Sequence, residues 1–254
     1  MRVQPKVWIG LVIWVAYVVL IFVIQISSGI PFPEWGDSAG NLFRAAGVSL
    51  IVATVLLAVT TSLLGWWRPA LFDRKRSAHR WPIIAPIAMA VLAVVDLIGA
   101  DWGAYSGAFF AASLALALVG FTEEIVNRGL LLVALRSRFN EGLVWFLSTL
   151  LFAVMHLANI GLGQDVLPTL QQVGAAFGAG TIFYILRRTT GSLILAMVLH
   201  GLWDFAQFAD GVGTASPVTS AATVLYLVVI VFALISVRWV IVGAKERIPA
   251  RTVL

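Results

Sequence analysis

The sequence contains no cysteine and only three histidines among its 254 residues. Disulfides, thiolate metal sites and a cysteine nucleophile are thereby excluded. Charge is scarce too: Asp, Glu, Lys and Arg make up 11% of the chain, against about 25% in soluble domains, while hydrophobic residues reach 61%. With a mean hydropathy of +0.98, this is the composition of a polytopic membrane protein and not of a soluble globular domain. Also lacking are a His-Glu-x-x-His zinc motif, internal repeats, low-complexity tracts and a long linker. Without repeated halves and matching broken helices, a transporter or proton channel is disfavoured. The net charge of +5 does not point to nucleic acid, because the basic residues fall in short clusters between apolar runs and not along one face.

Apolar runs occupy 7–26, 42–64, 82–100, 106–134, 142–158, 168–186, 192–208 and 219–242. The expected fold is an all-α membrane helix bundle of about eight transmembrane helices, since about 20 residues cross about 30 Å of hydrocarbon. The first run follows Arg2 and Lys6 as a signal peptide would, but its length favours a span over a signal h-region of about 7–15 residues. Every second connection is basic. Arg68, Arg74, Lys75, Arg76 and Arg80 follow the second run, Arg136 and Arg138 the fourth, Arg187 and Arg188 the sixth, and Arg238, Lys245, Arg247 and Arg251 close the chain. The intervening connections have, apart from Arg44 near one membrane edge, no basic residue, and the last three of them carry Asp101, Asp165 and Asp210. The alternation predicts both termini in the cytoplasm. The WWRPALFDRKRSAHRWP connection reads as a topogenic, lipid-headgroup-binding loop with interfacial Trp66, Trp67 and Trp81, and with His79 in solvent.

Against this background the stretch FTEEIVNRGLLL, residues 121–132, places Glu123, Glu124 and Arg128 inside an apolar run. A charge at the centre of a bilayer costs about 2.5–3.5 kcal/mol on insertion scales, so such residues face a bundle interior and usually act. At about 100° per residue, Glu124 and Arg128 share a face and can pair, whereas Glu123 points about 140° away from Arg128. Glu123 is left free to serve as a general base. A structural ion-pair cluster is the plain alternative. Two of the three histidines also lie in apolar runs: LFAVMHLAN sets Phe152, His156 and Asn159 on one face, and LHGLWDF sets His200 and Asp204 one turn apart. Three separate spans, the fourth, fifth and seventh, can bring these groups around one cavity.

Glu-Glu-x-x-x-Arg, Phe-x-x-x-His and His-x-x-x-Asp, in this order over about residues 105–210, resemble the signature of the CPBP family, also called Abi. That family comprises CAAX prenyl proteases and bacteriocin-processing proteins and includes the Ras-converting CAAX endopeptidase. The resemblance divides the chain into N-terminal spans (1–104), a CPBP-like catalytic core (105–210) and a last helix with its tail (211–254). It implies an intramembrane endopeptidase in which Glu123 and His156 activate a water, Glu124 pairs with Arg128 at the site, and His200 with Asp204 stabilises the oxyanion. The CAAX enzymes of eukaryotes have asparagine where this chain has Asp204. Since an ionised carboxylate offers no donor, His200 is expected to donate and Asp204 to orient its ring.

Ligand counting leaves zinc possible through Glu123, His156 and His200, but a metal-free, glutamate-based site is favoured. The expected partners are the lipid bilayer and a protein or peptide substrate, lipidated, leader-bearing or membrane-embedded, with no nucleic acid. Ala-, Val- and Arg-rich usage suggests a bacterial inner membrane. The resemblance also keeps open a catalytically silent scaffold or an immunity-type partner-binding protein. One geometric tension stands: counted from its cytoplasmic end, Glu123 lies near mid-membrane and His156 near the outer end of its run. Either the fifth span begins deeper than residue 142, or residues 159–168 fold back into the bundle. Gly174, Gly178 and Gly191 would permit close helix approach there.

Overall fold

The computed structural model describes residues 1–214 and 217–244. Eight long helices follow one another: α1 (Val7–Ser27), α2 (Ala39–Leu64), α3 (Trp81–Gly99), α4 (Gly107–Leu135), α5 (Glu141–Gly161), α6 (Val166–Thr190), α7 (Ile194–Asp210) and α8 (Pro217–Ile241). Their ends obey local chemistry. Ser38, Ser106 and Asn140 accept hydrogen bonds from the backbone amides of Asn41, Phe109 and Leu143 at the starts of α2, α4 and α5. Gly65 and Gly191, at φ of +68° and +77°, end α2 and α6 in the left-handed conformation that glycine adopts without strain. Among the described residues there is no strand, only an isolated bridge between Phe72 and Ser192.

The expected membrane bundle is what the chain forms, with a difference in its interior. Six helices, α1 to α5 and α8, are long and apolar enough to cross a membrane. Helix α6 is not among them, and α7 is a shorter apolar helix. The physical reason is burial: residues 178–189 of α6 are enclosed by neighbouring helices, so polar Thr181, Arg187 and Arg188 never meet lipid. The outer faces of α2 and α8, by contrast, expose Val55, Leu63, Val228 and Ile235, a belt suited to acyl chains. Helix α4 is the axis of the molecule, with residues 124–135 all buried. Helices α1 and α3 contribute Tyr17, Met89 and Ala93 to the same core as α4, α6 and α7, so residues 1–104 are packed onto the motif-bearing segment.

One end of the bundle corrects the reading of the basic connections. Arg136, Arg187 and Arg188 are buried and converge on Asp73 of the α2–α3 connection. Arg136 lies 2.8 Å and Arg187 2.9 Å from Asp73 Oδ1, and Arg188 reaches Oδ2. Arg136 also grips Glu141, at 2.5 Å, and Tyr184 donates to the same carboxylate at 2.7 Å. These cations are therefore internal fasteners of four segments. Trp66, expected at the interface, is fully buried and donates to Val3 O at 2.8 Å. Trp81 is exposed and packs edge-on against Trp239, while His79 is exposed as expected. Lys245, Arg247 and Arg251 lie outside the described residues.

Candidate active site

Two glycines set the distance between the helices that carry the motif. A Cβ on Gly120 of α4 would stand 2.1 Å from Met197 O, and one on Gly201 of α7 would stand 2.8 Å from Ala117 O. Only with hydrogen in both places can the two backbones touch. One turn beyond Gly120, this contact brings His200 against Glu124, with Nδ1 3.1 Å from Oε1. The same Oε1 takes Arg128 Nη1 at 2.8 Å. Glu124 thus binds both an arginine on its own helix and the histidine of α7.

Just after Glu124, α4 widens into a π-helical turn over Ile125–Leu131. Such turns redirect side chains and recur at functional sites. Asn127, within it, donates its side-chain amide to Glu123 O at 2.8 Å, and Arg187 of α6 donates to Arg128 O. The guanidinium of Arg128 lies flat over Phe152 of α5, 3.8 Å from the ring centre, and a Cβ on Gly180 of α6 would stand 2.1 Å from its Nη2. A glycine on α6, an aromatic ring on α5 and a carboxylate on α4 therefore build the slot for this cation.

The aromatic rings also fix the imidazoles. Phe183 stacks on His200 with centres 4.5 Å apart, and Phe152 meets His200 and His156 edge-on at 5.7 and 5.3 Å. His156 Nδ1 lies 3.0 Å from Phe152 O, so in the neutral ring Nδ1–H donates to that carbonyl and Nε2 keeps its lone pair. His200 Nε2 points to the space between Glu123 Oε2, at 3.8 Å, and Asp204 Oδ2, at 3.6 Å. The closer partner of His200 is Glu124, at Nδ1, while Asp204 stands near Nε2 as the one-turn spacing suggests. Asn159 donates to Gln172 on α6 at 2.9 Å and so fastens the ends of α5 and α6.

Exposure separates the two glutamates. The side chains of Glu124 and Arg128 are fully buried, whereas Glu123 retains 17% and Asp204 35% of their accessible surface. One oxygen of each carboxylate, Glu123 Oε2 and Glu124 Oε2, is buried without a hydrogen-bond partner. The more accessible of the two glutamates is thus Glu123, with His200 Nε2 3.8 Å from its Oε2.

The difference in depth between Glu123 and His156 is narrowed by helix direction. They lie about 18 and 22 Å from the basic ends of α4 and α5, which run antiparallel. Side chains lean toward the N-terminus of their own helix, so that of Glu123 reaches away from the basic end and that of His156 toward it. No re-entrant segment is involved: α5 continues to Gly161 and α6 begins at Val166. Of the glycines singled out for close approach, Gly178 packs against Ile230 of α8, Gly191 caps α6 and Gly174 faces open space. The glycines that matter at the site are Gly120, Gly180 and Gly201.

Residues 105–206, which hold all of these groups on α4, α5 and α7, match the family model for type II CAAX prenyl endopeptidases, Rce1-like. Over this segment the chain is Rce1-like. The match supports a CAAX-type endopeptidase and agrees with the resemblance carried by the three motifs. No curated protein and no solved structure matches the chain. Among the described residues, no group of three or more His, Asp or Glu side chains is arranged to hold a metal ion. His200 Nδ1 is turned to Glu124, and His156 Nδ1 to a backbone carbonyl. Sequence reasoning missed Phe183, Asn127 and the glycine crossing. Asn127 sat in plain view between the glutamates and the arginine, whereas Phe183 and Gly180 are ordinary residues of an apolar helix.

Proposed function

We propose that the Rce1-like core is a metal-free intramembrane endopeptidase that hydrolyses a peptide bond with water activated by Glu123 and His156. The observation that carries this reading is the division of labour between adjacent glutamates. Glu124 is fully buried and engaged through Oε1 by Arg128 and His200, whereas Glu123 is partly accessible, with the His200 imidazole 3.8 Å away. A purely structural ion-pair cluster has no use for the second carboxylate.

In the proposed reaction a water donates one hydrogen bond to Glu123 and the other to Nε2 of His156, while its oxygen attacks the peptide carbonyl carbon. The water's proton passes to Glu123 as the new C–O bond forms. The carbonyl oxygen, now an oxyanion, accepts from Nε2–H of His200, which in its imidazolium form donates from both nitrogens, Nδ1–H being held by Glu124. Asp204 stabilises that cation from the open side. Collapse of the adduct breaks the C–N bond, and the proton on Glu123 returns to the departing amine. Phe152 and Phe183 keep the imidazoles from rotating.

The substrate belonging to such a site is a protein or peptide tail presented from the bilayer, lipidated or embedded. The setting proposed for it is a bacterial inner membrane, with both termini in the cytoplasm. The test is a membrane-wide comparison of protein termini in cells making wild type or Glu123→Gln at equal levels. New termini found only with wild type are expected, and they would identify the substrate and the side of cleavage. If cells that need the protein yield none, and Glu123→Gln supports them equally, a non-enzymatic scaffold replaces the peptidase.

A further inference from the structure

The proposed chemistry leaves unused an open groove of about 480 Å³ at the end of the bundle where α6 turns into α7. It is lined by Arg76 and Arg80 of the α2–α3 connection, Thr190 and Ser192 of the turn, and Ile194 and Leu195 at the start of α7. No carboxylate lines it. Asp73, the nearest acid in sequence, is committed to Arg136, Arg187 and Arg188. Among the described residues lining the groove, Arg76 and Arg80 are thus positive charge without a carboxylate beside them.

The position of Arg76 is built into the turn. Gly191 has φ +77° and no side chain, and a Cβ there would come within 3.0 Å of Arg76 Cγ. The aliphatic stem of the arginine lies on this glycine, which carries the guanidinium over the groove. Below the two cations the groove opens onto an apolar flank: Ile194, Leu195 and Val198 on α7 are 43%, 48% and 62% exposed, and Ile84 and Ile87 on α3 are each 55% exposed. The cations stand at one end of the bundle, and beneath them lies an uncovered hydrophobic strip.

We propose that this groove binds an anionic phospholipid, its phosphate between Arg76 and Arg80 and an acyl chain along Ile194, Leu195 and Val198. A soluble anion would use the arginines but leave the strip bare, and a zwitterionic lipid would bring its own cation to two arginines. Because the turn that shapes the groove also ends α6, lipid binding there braces the junction between Arg187 and His200.

The test uses the whole protein in a neutral detergent and native mass spectrometry with phosphatidylglycerol and phosphatidylcholine at equal concentrations. Wild type is expected to retain phosphatidylglycerol about tenfold over phosphatidylcholine. The double variant Arg76→Gln, Arg80→Gln should lose that preference, whereas Arg76→Lys, Arg80→Lys should keep most of it and Lys6→Gln, an exposed cation at the same end, all of it. Unchanged melting temperatures would show that the variants are folded. A phosphatidylglycerol preference that survives the double glutamine variant overturns the proposal. So does displacement of the lipid by inorganic phosphate at equal concentration, which would make the groove a site for free anions.

Discussion

Adjacent carboxylates that differ by one position in the chain here hold opposite relations to water. Glu124 has no accessible surface and neutralises a fully buried guanidinium, so removing its charge strands Arg128 in the core. Breaking a buried pair from one side costs about 3–5 kcal/mol. Glu124→Gln is therefore expected to lower the thermal stability of the detergent-solubilised protein markedly. Glu123→Gln, altering a partly accessible side chain whose Oε2 has no hydrogen-bond partner, should melt with wild type yet lose cleavage by about a hundredfold or more, the usual scale for a positioned general base. If both variants lost stability alike, Glu123 would be a structural residue. The difference between the two was legible in the sequence, because an i, i+4 spacing assigns the arginine to one glutamate only. The role of Glu124 toward His200 was not. His200 and Asp204 share a helix face and suggest a pair, but only the α4–α7 crossing shows that the nearer carboxylate comes from another helix.

At the scale of elements, the site exists because α4 and α7 touch backbone to backbone. Gly120→Ala would place a methyl 2.1 Å from Met197 O, a rigid neighbour that cannot swing away as a side-chain tip can. The helices must separate, at a cost of about 1–3 kcal/mol for an overpacked contact. His200 then withdraws from Glu124, and cleavage should fall more than tenfold even in protein that remains folded. Gly174→Ala, made where nothing lies within 4 Å of the added carbon, is the matched control and should leave both activity and melting unchanged. Equal loss in the two variants would count against the crossing as the positioning device. Both glycines stand within helices and look alike in the chain. What separates them is the neighbour each meets, which depends on crossing geometry. The motif residues were readable because charge inside an apolar run is costly wherever it occurs. Neutral residues such as Gly120, Gly180 and Phe183 carry no such mark.

Across the whole molecule, the network at the basic end decides how the bundle closes. Alternating charge grouped these connections, but spacing along a chain does not show that residues 73, 136, 187 and 188 meet. Asp73 was the available clue, as the only acid in a connection with five basic residues. Its carboxyl group is governed by two opposed effects. Burial alone would push its pKa up, but Arg187, Arg136 and Arg188 together outweigh burial and hold it well below the usual carboxylate range. In the unfolded chain the same group titrates near about pH 3.9. The folded protein therefore binds fewer protons at this position, and the stability contributed by an ionised Asp73 is complete above about pH 5 and shrinks as pH falls through 4 and below. Melting temperature should accordingly be level in this contribution near neutrality and drop on an acid limb. Asp73→Asn, which is neutral at every pH, should melt lower than wild type at pH 7, because three arginines lose their shared counter-charge. The variant should also show a shallower acid limb, so that the two melting curves approach each other below about pH 4. Parallel curves down to pH 3 would mean that other carboxylates govern the acid limb and that Asp73 is replaceable at this junction.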